Sequence, residues 1–136
     1  MAGVITASDV LDAAFDEMGG PFGWDGQSDC SATACSAWRR LTGIDLMAGL
    51  RGLYASRSEA MALIRSRGGF GPMWRAQAAA RGLREGREAV GAIGVIRVSG
   101  ADYLVLGLCM RPGLWLAKSR TGAAVRPATV EVCWNA

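Results

Sequence analysis

Between Thr6 and Met18 the apolar positions recur at helical spacing. Val10, Ala14 and Met18 stand four apart, with Leu11 and Phe15 beside them. Thr6 or Ser8 supplies a start cap and Gly19 an end. A glycine-dense loop, Gly19 to Gln27, follows and carries Pro21 and Trp24. The next helix takes Ser28 or Asp29 as its cap, shows a stripe of Ala34, Ala37, Trp38 and Leu41, and stops at Gly43. Two more helical stretches fit Ser58 to Arg67, ended by Gly68 and Gly69, and Pro72 to Leu83, with Pro72 at the first helical position. After Gly86 the period changes. Ala92 to Val98, Tyr103 to Met110, Leu114 to Lys118 and Val130 to Trp134 are short apolar runs punctuated by glycine and proline, the pattern of an antiparallel meander. Helices followed by strands predict an α+β fold. The Ala34, Trp38 and Leu41 face is expected to pack on the sheet.

The chain has 136 residues, 51% hydrophobic and 20% charged, which fits one folded domain and excludes a disordered tail. We read residues 1–136 as one domain, with a helical half over 1–85 and a strand half over 90–136. No apolar run reaches the roughly 18 residues of a membrane helix. Met1 to Phe15 lacks a basic start and holds Asp9 and Asp12, so no export signal is expected and synthesis in the cytoplasm is. Histidine is absent from the sequence, which removes His-based acid–base chemistry, Cys–His and Ser–His pairs and His-containing metal sites.

The net charge of +3 is unevenly spread. Residues 1–50 hold seven acids against two arginines, and residues 51–136 hold thirteen bases against five acids. Such polarity suits docking between charged neighbours. The bases lack the aromatic interleaving of a nucleic-acid surface, so no nucleic-acid partner is expected. The arginines from Arg65 to Arg87 are read as a solvated or docking face. Trp38, Trp74 and Trp115 sit in apolar patterns and are expected in the core, Trp24 in a cleft or interface, and Trp134 at the core's edge or against a partner.

Four cysteines, Cys30, Cys35, Cys109 and Cys133, form no C-x-x-C pair, and neither a metal nor a cofactor is expected. Asp25 and Asp29 flank Gly26-Gln27-Ser28, but the alternating acids and closing glutamate of a calcium loop are missing, so capping is the better account. Cys30 falls in the first turn of a helix behind a glycine-rich loop, where free N–H groups and the helix dipole favour a thiolate. A small buried cysteine packing a helix start is the plain alternative.

The segment Gly20-Pro21-Phe22-Gly23-Trp24-Asp25-Gly26, then Asp29-Cys30-Ser31, resembles the G-x-P-Y-x-W-G-G and D-C-S-G run of NlpC-type papain-like cell-wall peptidases. Trp38 to Gly43 resembles the end of that family's first core helix. Thr42-Gly43-Ile44-Asp45 and Arg51-Gly52-Leu53-Tyr54 are similar to segments of its short phage, prophage and gene-transfer-agent members. The resemblance implies a papain-like fold with Cys30 as nucleophile, and Phe22, Trp24, Asp25, Asp29 and Ser31 around the cleft. It departs where the family's tyrosine is Phe22, a loop glycine is Asp25, and the histidine after the first strand becomes Val105. Asp102 and Lys118 are stand-ins by elimination only.

The expectation is therefore a vestigial nucleophile in a pseudoenzyme: a structural protein of a phage tail, near the hub or tip, located in the virion. Its partners would be other tail proteins, with peptidoglycan as a further ligand. Two alternatives stand beside it. One is an active cysteine peptidase or amidase acting on peptidoglycan with a base from an unusual residue or a partner. The other is an unrelated soluble interaction module.

Overall fold

Thr6 caps the first helix by a reciprocal arrangement. Its hydroxyl accepts from the Asp9 N–H at 3.1 Å, and the Asp9 carboxylate accepts from the Thr6 N–H at 2.9 Å. This starts α1 at Ala7–Met18 in the computed structural model, which describes residues 3–136. Asp29 caps α2, Cys30–Thr42, which ends on Gly43 in the left-handed conformation. Ser56 caps α3, Arg57–Ser66. Then α4 runs Phe70–Ala80 from Gly69. It starts two residues before Pro72 and ends three before Leu83, against expectation. Pro72 thus falls third in the helix, still within the first turn, where a missing N–H costs no intrahelical bond.

Four antiparallel strands follow: β1 Ile93–Val98, β2 Val105–Arg111, β3 Leu114–Lys118 and β4 Ala123–Trp134. Each pairs with the next, and β4 returns to pair with β1, closing a small barrel. β4 begins seven residues before the run expected at Val130. Its first part, to Pro127, pairs with β3 and the remainder, from Ala128, pairs with β1. Pro127 sits at that exchange of partners on the exposed surface, where a strand tolerates a missing donor.

Alternation along the strands separates two apolar clusters. Ile93, Val95, Leu106, Leu108, Leu116, Val132 and Trp134 face the helices, where they meet Val10, Met18, Ala34 and Trp38. Ala92, Ile96, Val105, Cys109, Trp115, Ala117 and Cys133 form the second cluster. The barrel closes tightly because Gly94 lies opposite Gly107. A β-carbon at Gly94 would come within 2.9 Å of Trp115 and Cys133, and one at Gly107 within 2.7 Å of Ile96. Trp115 is held from outside by Glu88, which accepts its indole N–H at 2.7 Å.

The α2 stripe packs on the sheet as its pattern requires. Trp38 is fully buried, and its indole N–H donates to the Gly91 carbonyl at 2.8 Å. Trp74, Trp115 and Trp134 are core residues too. Arg81 departs from the solvated-face reading. Its guanidinium turns inward to the carbonyls of Asp45 and Ala48, both at 3.0 Å, and ties α4 to the loop after α2. Arg84 and Arg87 lie beyond the end of α4. Among the described residues no helix is long and apolar enough to cross a membrane.

Candidate functional site

The start of α2 is built from the inside out. Asp29 is buried, and both its oxygens are used. One accepts the Ala32 N–H at 2.9 Å, and the other accepts the Gly26 N–H at 3.0 Å and the Tyr54 hydroxyl at 2.8 Å. Gly26 has φ +76°, a conformation that strains a residue with a β-carbon, and it lies against Tyr54. The carboxylate thus pins the preceding loop and the Tyr54 segment to the helix start.

Asp25 works on the same turn from outside. It accepts the Gln27 and Ser28 N–H groups at 2.9 and 2.7 Å and the Ser28 hydroxyl at 2.9 Å, which holds its carboxyl below the ordinary value. Both aspartates cap. Among the described residues no three His, Cys, Asp or Glu side chains gather as metal ligands.

The loop before Asp25 is fastened to the end of β3. Lys118, buried, donates its ammonium to the carbonyls of Met18 and Gly20, and the Phe22 N–H donates to the Arg120 carbonyl at 3.1 Å. Burial lowers the Lys118 pKa. Its donors cap the open end of α1, a role that the sequence reading missed. A lone lysine at the end of an apolar strand was the available signal.

Phe22, Trp24, Asp29, Cys30, Ser31 and Val105 all line one cavity of about 840 Å³. The resemblance grouped these six residues, and the fold brings them together. Asp25 is the exception: its carboxylate is spent on the turn and it does not line the cavity. Phe22 and Trp24 meet edge to face, ring centres 5.0 Å apart. Lys118 and Asp102 reach the same cavity, Lys118 with its ammonium on two carbonyls and Asp102 exposed.

Cys30 is half-buried and packs against the cluster that holds Val105. Of the two readings of this helix start, the surroundings favour the plain packed thiol over the thiolate. Burial, and then the charge of Asp29 beside it, push the Cys30 thiol up to about 11, and neighbouring Ser31 offsets this only in part. Among the described residues no side chain from another element hydrogen-bonds the sulfur. Cys35, on a different face of α2, lies in the helix-side core, its pKa raised by burial.

The sequence reading also left the Asp45 and Arg51 motifs without a physical role. Their side chains form a two-pronged ion pair at 2.6 and 2.8 Å. It folds the connection after α2 so that Tyr54, three residues beyond Arg51, reaches Asp29.

A search of curated proteins finds no match to this chain, and a search of solved structures finds none. A family model described as a domain of unknown function, DUF6950, matches residues 6–136, which spans all four helices, the whole barrel and the cavity between them, and the chain belongs to that family.

Proposed function

We propose that this chain is an NlpC-type papain-like domain that has kept the cleft and given up hydrolysis, and that it serves as a structural component of a phage-type tail near the hub or tip. One observation carries the catalytic half of this reading: Cys30 and Val105 line the same cavity, with a protonated thiol on one side and a valine where the resembling family has its base. Cysteine acyl transfer needs a group to take the thiol proton and return it to the leaving amine. Valine does neither, the Lys118 ammonium is held by two carbonyls, and the sequence has no histidine. The tail placement rests on the resemblance of residues 20–54 to short phage members and on the uneven charge of the two halves.

Two measurements test the reading. Purified chain incubated with peptidoglycan sacculi is expected to release no soluble fragments, and Cys30→Ser to leave that result unchanged. Mass spectrometry of tail particles from a producing strain is expected to find the chain. Fragment release that Cys30→Ser abolishes overturns the silent-cleft reading, and absence from particles overturns the tail placement.

A further inference from the structure

The cavity over Cys30 is far larger than a vestigial thiol needs. Its apolar lining includes Met47, Leu50, Met61, Ile64, Met73 and Trp74, six large side chains with three flexible methionines among them. A volume of about 840 Å³ lies within the range of small-molecule sites, which are mostly apolar with few polar groups. The chamber shares a wall with a second groove of about 450 Å³, since Asp102, Tyr103, Val105, Lys118, Ser119 and Arg120 line both. The groove adds Arg126, and the chamber adds Arg57. Among the described residues Arg57, Arg120 and Arg126 form no ion pair, and Asp102 is the one carboxylate on the shared wall. The Trp74 indole N–H is buried without an acceptor among the described residues, although Trp74 itself lines the chamber.

We infer that this chamber binds a single-chain amphiphile, with its apolar chain among the methionines and its anionic head toward Arg57, Arg120 and Arg126. The inference goes beyond the silent-peptidase reading and does not depend on it. Polar bookkeeping selects the ligand class. A peptide brings a donor and an acceptor with every residue, and each buried without a partner is costly. The chamber's best groups are spent, since Asp29, Tyr54 and Lys118 bond within the protein. A chain with one polar end asks little of the wall.

The test is calorimetric titration of the full chain, below micelle-forming concentrations, with octanoate, decanoate and dodecanoate. Dodecanol, lysophosphatidylglycerol and a soluble muropeptide are run beside them. One ligand per chain is expected, with affinity rising roughly fourfold per methylene and dodecanol at least about tenfold weaker than dodecanoate. Tighter binding of either dodecanoate or lysophosphatidylglycerol supports the proposal and tells a free fatty acid from a phospholipid. Arg57→Gln with Arg120→Gln is expected to erase the advantage over dodecanol while dodecanol binding stays. Ala60→Phe, which fills the chamber from α3, is expected to abolish binding; if that variant does not fold, Leu63→Trp serves the same purpose. Affinity independent of chain length, equal binding of alcohol and acid, binding that survives filling of the chamber, or preference for the muropeptide overturns the proposal.

Discussion

Helix α2 buries Ala32, Thr33, Ala34, Cys35, Ala37 and Trp38, whereas α3 buries Ala60 alone. The first packs on α1 and on three strands, and the second packs, among the helices and strands, on α4. The cavity lies between these two kinds of support. Cys30, Val105 and Lys118 stand on the firmly held side, while Met61, Leu63 and Ile64 cover it from α3. Local stability follows buried apolar contact. The wall that carries Cys30 is therefore fixed by the core, and the covering wall, with Ala60 as its one buried residue, is held less firmly. Val105, which stands where the resembling family has its histidine, lies on the firm wall, so a change of side chain there need not disturb the fold.

The largest effect expected from this contrast is on stability. Trp38→Ala removes a fully buried indole and its bond to the Gly91 carbonyl, and should cost about 3–5 kcal/mol. Leu63→Ala, a truncation on the side already facing the cavity, should cost about 1 kcal/mol or less. Urea unfolding of the two variants checks this, and equal losses would break the contrast.

Next comes the fastening of the loop. Lys118→Met keeps the stem and removes the donors, leaving the Met18 and Gly20 carbonyls without their charged partner. A loss of about 1.5–3 kcal/mol is expected. Amide exchange should quicken around Met18 to Phe22 and remain slow in the barrel. Slow exchange throughout would mean that the loop does not depend on this lysine.

The firm wall is probed chemically. With its thiol pushed up to about 11 from 9.0, Cys30 holds about a hundredfold less thiolate near neutral pH than an unperturbed cysteine, and its alkylation rate should climb with pH toward that midpoint. Val105→His sets an imidazole on the wall that Cys30 shares. A partner positive charge lowers a thiol pKa by about one unit or more, so alkylation near neutral pH should rise about tenfold or more. An unchanged rate would show that position 105 does not confront the sulfur, and the papain-like reading of the cleft would fall with it.

Much of this arrangement was legible in the chain. The caps at Thr6 and Asp29, the stop at Gly43 and the α2 stripe rest on local rules that tertiary packing did not override. Phe22, Trp24, Asp29, Cys30 and Ser31 could be grouped because they fall within one contiguous segment that carries the family resemblance. What escaped depends on long-range geometry. Lys118 meets a carbonyl a hundred residues away, and the Tyr54 hydroxyl meets Asp29 across a folded connection. The early start of β4 escaped because Ala123 to Thr129 has no strong alternation and contains Pro127, so only its pairing, with β3 as far as Pro127 and with β1 from Ala128, makes it a strand. Of the two readings of Cys30, the packed thiol is favoured over the thiolate for a reason of magnitude. A dipole at a helix end is screened and short in range, whereas removing the sulfur from water acts on the whole charge.

The smallest expected effect separates the two supports by pH. Asp45 and Arg51 hold the connection that delivers Tyr54 to the firm wall, and their pair is partly solvent-exposed. The hydrogen bonds from Arg51 keep the Asp45 carboxyl below its ordinary 3.8. A carboxyl lowered by folding adds stability that is fully present above the unfolded value and fades as the pH falls through the folded one. Solvent and salt screen such a pair, so its worth is about 1 kcal/mol or less. Wild type should exceed Asp45→Asn by that margin at neutral pH. The difference should shrink as the pH drops below 3.8, and high salt should narrow it at every pH. Urea midpoints of both proteins from neutral to strongly acid solution provide the check. A difference that stays constant into acid would mean that Asp45 acts through shape and its bond to the Met47 N–H at 3.3 Å rather than through its charge.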